Sequence, residues 1–167
     1  MLNNFKLYVV LSYILIPIAL LFAFLDVVLF MTALANPSAL IMVFVIACLV
    51  IYTFASFKFL KKGIEQEQVQ SSKLKDWIKV NAYVSFFLCA LFFINSISVL
   101  VADNATLMTF VNEFLQQQPN LPAEITNSMI LSLLKGVSIF LLFSGIVGLL
   151  HIRTTLRLVR EHDHLFE

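Results

Sequence analysis

From Leu7 to Ala35 the chain is apolar and carries a single charge, Asp26. A run of that length can cross a lipid bilayer, which needs about 20 apolar residues. Three more stretches qualify: Ala39–Phe59, Asn81–Ala102 and Met129–His151. Composition agrees. Hydrophobic residues make up 60% of the 167 and charged residues 13%, with a mean hydropathy of +0.95. A soluble domain carries about 25% charged residues. A water-soluble fold could not bury this much apolar surface, so the expected solvent is lipid. The strand alternation of a membrane barrel is absent. The reading is an all-α integral membrane protein: one antiparallel four-helix transmembrane bundle over residues 1–167.

Ala33-Leu34-Ala35 resembles a signal-peptidase site, but the apolar run before it is far longer than the roughly 7–15 residues of a signal core. The first run is therefore read as a retained span.

Basic residues set the expected orientation. Lys6 precedes the first span. Lys58, Lys61, Lys62, Lys73, Lys75 and Lys79 surround the second connection. Arg153, Arg157 and Arg160 follow the fourth span. Lys135 is the one exception among 11 basic residues. The opposite side carries Asp103, Glu113 and Glu124. By the positive-inside rule both termini are expected in the cytoplasm of a plasma or bacterial inner membrane. Trp77 reads as an interface anchor, and Arg153, Arg157 and Arg160 as contacts to lipid phosphates. All four tyrosines fall in the same half and read as an aromatic belt.

The connections differ in kind. Asn36 can cap a helix that Pro37 begins, making a tight first hairpin. Pro17 is expected to kink the first span. Gly63 reads as the end of helix two, and Ser71 or Ser72 as the start of helix three. The third connection is the longest. In it Leu107, Phe110, Val111, Phe114 and Leu115 recur at helical spacing. They predict a short amphipathic helix on the outer side, ended by Pro119 and Pro122.

Polar residues inside the spans are the candidate site. Tyr8, Ser12, Ala19, Ala23, Asp26 and Ala33 share one stripe of helix one, expected to face protein. Asp26, Asn95 and Lys135 each lie about 12–13 Å along the axis from the outer end of their helices. With Ser96 and Ser132 nearby, they predict an intramembrane cluster in which Asp26 pairs with Lys135. An unpaired charge there would cost about 2.5–3.5 kcal/mol. Ser144, Gly145 and Gly148 read as a close-packing face, within the bundle or between copies.

No metalloprotease, nucleophile-elbow or P-loop motif occurs. Cys48 and Cys89 lie apart in mid-span. The tail EHDHLFE, with His162 and His164, reads as mobile and solvated. No enzyme activity, metal, cofactor or nucleic-acid partner is expected. The expected partners are the bilayer and either another membrane protein or a second copy. The leading expectation is a scaffold or accessory subunit. The alternative is a small transporter or proton-coupled carrier using Asp26, Asn95 and Lys135.

Overall fold

A computed structural model describes residues 2–117 and 126–167, with side chains from residue 5 onward. Among these residues there are five α-helices and no strand. They are α1 (Leu2–Ala33), α2 (Leu40–Lys58), α3 (Ser72–Val101), α4 (Asn104–Gln116) and α5 (Asn127–Glu161). Four of them, all but α4, are long and apolar enough to cross a membrane. Pro119, Pro122 and Glu124 lie outside the described residues.

The long helices form a closed ring. α1 packs on α2, α2 on α3, α3 on α5, and α5 back on α1. Their outward-facing surface is apolar: Phe24, Ile41, Phe87 and Val101 are all exposed. Such a surface is stable only in an apolar solvent. Inside, Leu15, Leu49, Leu60, Ile78 and Ile152 are almost fully buried. Midway along the bundle Phe22 stacks on Phe92 at 5.3 Å and leans on Phe140 at 6.2 Å. One ring of α1 thus contacts rings of both α3 and α5.

The local signals explain most helix ends. Asn36 accepts the amide of Ser38 at 3.3 Å and its hydroxyl at 2.7 Å, with Pro37 opening a short 3₁₀ turn into α2. Helix α1 is continuous through Pro17. Asp103 caps α4 by accepting the Thr106 amide and hydroxyl at 2.8 and 2.7 Å. Those bonds favour the carboxylate and hold its pKa below the usual value. Helix α3 starts at Ser72, a full two turns before the apolar run that announces it.

Two expectations fail at the end where the chain terminates. Gly63 does not end helix two. It sits inside a π-helical turn, Phe59–Ile64, that prolongs α2. A β-carbon there would lie 2.8 Å from the Phe59 ring, so glycine is what lets that ring fold back. The tail is also docked, not free. Gln70 donates to the Leu165 carbonyl at 2.7 Å, and the Glu167 amide returns a bond to Gln70 at 3.0 Å. Ser72 donates to Glu167 at 2.8 Å. Phe166 stacks on Phe59 at 5.1 Å, and Lys75 pairs with Asp163. The α2–α3 connection offers unpaired backbone groups beside an apolar ring, and the tail satisfies both needs.

Candidate functional site: a buried histidine network

The ring of helices closes around His151, which is fully buried. Three helices supply the surrounding groups, each as a pair one turn apart: Tyr8 and Ser12 from α1, Tyr52 and Ser56 from α2, His151 and Thr155 from α5. Ser12 Oγ lies 2.9 Å from His151 Nε2. Tyr52 Oη lies 2.7 Å from Nδ1 and donates to Thr155 Oγ1 at 2.8 Å. Tyr8 stacks on the imidazole at 5.1 Å, while its hydroxyl donates to the Ser56 carbonyl at 3.0 Å. The Ser56 carbonyl lies just before the π-helical turn. The Phe59 amide is shared between Ala55 and Ser56, and the Ser56 carbonyl takes the tyrosine as well.

The hydrogens of this network can be followed one by one. Ser12 donates to the Tyr8 carbonyl and Thr155 to the His151 carbonyl, each at 2.8 Å. Tyr52 donates to Thr155. A hydroxyl has one hydrogen to give. With those committed, the Ser12–Nε2 and Tyr52–Nδ1 contacts each need an N–H from the ring. A neutral imidazole has one and an imidazolium has two. Thr155 Oγ1 also lies 3.4 Å from Nδ1. Over the five contacts shorter than 3.0 Å, the neutral network is one hydrogen short. Among the described residues no carboxylate reaches the ring, so a cation would be buried with hydroxyl partners only.

The second polar group, toward the α4 end, is not assembled. The expected Asp26–Lys135 ion pair is absent. Lys135 donates instead to Asn104 Oδ1 at 2.7 Å, at the start of α4. Asp26 is half-buried, and its Oδ1 is buried without a hydrogen-bond partner. Counted from the Phe22–Phe140 contact, the two residues lie at similar levels along their helices. Asp26 lies about 6 Å beyond Phe22 along α1, and Lys135 about 7.5 Å beyond Phe140 along α5. The lysine stem is long enough to leave that depth and carry its ammonium to a polar amide nearer the helix end. The half-buried Asp26 cannot match that partner. Asn95 and Ser132 are exposed, and Ser96 is buried with an unpartnered hydroxyl.

Ser144, Gly145 and Gly148 are buried in the α3–α5 seam. A β-carbon on Gly145 would stand 2.9 Å from the Cys89 carbonyl oxygen, and one on Gly148 would collide with Cys89 Sγ. This close approach lies within the chain and leaves neither glycine free for a contact between copies. On α4, Leu107 and Val111 are buried and Leu115 partly so, whereas Phe110 and Phe114 are exposed. Helix α4 is tied to α5 by Asn127 donating to Asn112 and by Lys135 donating to Asn104. Trp77, Arg153, Arg157 and Arg160 are exposed.

Tyr13 and Tyr83 are exposed, whereas Tyr8 and Tyr52 are buried, and for those two the belt reading fails. A signal for the network is present in the sequence. Polar residues spaced i, i+4 recur at one end of three spans, and such pairs share a helix face. No family model matches the chain, and neither a curated protein nor a solved structure matches it.

Proposed function

We propose that this chain is a non-enzymatic multi-pass membrane protein that serves as a scaffold or accessory subunit, with both termini in the cytoplasm and α4 at the outer surface. The observation that carries this reading is the closure of the bundle interior. Phe22, Phe92 and Phe140 fill its middle, and the His151 network ties α1, α2 and α5 together below them. A bundle held this way offers its partners a rigid outer face. Its polar interior serves register: each hydroxyl finds its partner only when the three helices are aligned. In this reading α4 rests its exposed Phe110 and Phe114 in the outer lipid surface.

A second reading, a proton-coupled carrier, draws its support from the hydrogen shortage around His151 rather than from Asp26, Asn95 and Lys135. The deciding experiment is flux in liposomes loaded with a pH-sensitive dye. The scaffold reading expects proton leakage equal to empty vesicles under an imposed potential. Leakage that His151→Gln abolishes would replace it with the carrier. Impermeant maleimide labelling of a cysteine placed at Glu167 or at Glu113, in intact cells, tests the orientation. Labelling at position 113 alone is expected.

A further inference from the structure

We propose that the arginine row at the end of α5 is a binding site for one acidic glycerophospholipid, with its phosphate on Arg153 and Arg160 and an acyl chain in the groove between α3 and α5. The groove has a volume of about 690 Å³. Its floor is apolar and aromatic, formed by Tyr83 and Phe86 from α3 with Ile152 and Leu156 from α5. Arg153, Arg157 and Arg160 line the same groove from one face of α5, at spacing i, i+4, i+7.

The charge balance points to an anion. Glu161 also lines the groove, but Arg157 Nε binds its carboxylate at 2.7 Å and neutralises it. Arg153 and Arg160 have no ion-pair partner among the described residues. Two guanidiniums at the end of a membrane span are thus left for a ligand. A guanidinium fork matches the geometry of a phosphate group.

The shape points to a lipid rather than a soluble phosphate. A smaller groove of about 220 Å³ flanks the opposite side of the same row, lined by Leu7, Leu150 and Leu158 together with Arg153, Thr154, Arg157 and Glu161. The basic ridge therefore has an apolar groove on one side and, on the other, a smaller groove of mixed lining with a leucine wall. A diacyl lipid has that distribution of chemistry: one charged group with two hydrocarbon chains diverging from it. Inorganic phosphate or glycerol phosphate would use the ridge and leave both grooves unfilled.

Native mass spectrometry of the purified full chain tests the site. Detergent micelles receive equal amounts of dioleoyl phosphatidylglycerol and dioleoyl phosphatidylcholine, which share acyl chains and differ in headgroup charge. The wild type is expected to retain the acidic lipid about thirtyfold over the neutral one, given about 1 kcal/mol for each of the two free arginines near an anionic headgroup. The double variant Arg153→Gln/Arg160→Gln is expected to lose that preference, with unchanged helicity and melting temperature. The control Lys62→Gln/Lys73→Gln removes the same charge from the same end and is expected to keep it. Equal loss in the control would reduce the site to diffuse attraction and overturn the proposal. So would absence of any headgroup preference in the wild type. Displacement of the lipid by millimolar inorganic phosphate or glycerol phosphate would assign the ridge to a soluble anion instead.

Discussion

At one end of the bundle Ser12, Tyr52 and Thr155 close around a single imidazole. At the other, Asp26, Asn95 and Lys135 share a depth and do not bond to one another. Both sets sit in apolar helices, and both pose the same problem of polar groups away from water. The difference lies in the side chains. Ser, Thr and Tyr are short or rigid, and each carries a donor and an acceptor on one atom. They can be satisfied only by neighbours already aligned, so they link helices. Lysine is long and flexible. Its ammonium binds an amide at the bundle's end instead of Asp26. The carboxylate it leaves behind is stranded with a bare oxygen. Polar residues that cannot move become structure, and one that can move becomes a tether for α4.

That contrast breaks most directly at His151. His151→Ala leaves the Ser12 and Tyr52 hydroxyls without their ring partner and opens a cavity. The expected loss is about 3–5 kcal/mol in detergent unfolding. A loss below 1 kcal/mol would mean that the network is incidental to folding.

The seam between the two ends comes next. Gly148→Ala places a methyl against Cys89 Sγ and is expected to cost about 1–3 kcal/mol. Cys89→Ala in the same chain removes the sulfur, and most of that loss should return. Additive losses in the double variant would show that the clash is relieved elsewhere.

At the other end the expected effects are smaller. Asp26→Leu removes a buried carboxylate oxygen that has no partner and should be neutral or stabilising by about 1 kcal/mol. Lys135→Met should loosen α4, read as faster hydrogen exchange at Leu107 and Val111. The two changes should add, because residues that share no partner seldom couple. Coupling above about 1 kcal/mol would restore the ion pair the structure lacks.

The smallest effect is at the tail. Lys75 holds the Asp163 carboxyl below its usual pKa. A lowered folded-state pKa contributes stability above the unfolded value near 3.8 and loses it as pH falls through the folded value. Protection factors at the Gln70 and Glu167 amides, with the intrinsic pH dependence of exchange divided out, should therefore be high at pH 7 and fall below about pH 4. The Lys75→Met variant should lose that dependence. Asp163 is exposed, so global stability should barely move.

The helices were legible because length and hydropathy are additive along a chain. Four apolar runs could be counted, and Asn36 with Pro37 marked a turn by purely local chemistry. The equal depth of Asp26 and Lys135 was legible for the same reason, since axial rise follows from residue number. Their pairing was not, because a lysine's direction depends on what else lies within reach, and Asn104 comes from a different element. Tyr8 and Tyr52 looked like interface residues because composition cannot tell a tyrosine facing lipid from one facing His151.

The sequence by itself determined that this chain is a set of long apolar helices with its basic residues gathered at one end. Each helix needs only its own residues to satisfy its backbone in lipid. Tertiary structure alone decided which polar groups meet. That depends on helix rotation and on contacts between residues as distant as Ser12 and His151. It also decided that the tail folds back onto Gln70, and that Gly145 and Gly148 are used up inside the chain against Cys89. Hydrogen bonds and close contacts between helices are properties of pairs, and the rotation that selects a pair is set by the packing of the whole ring.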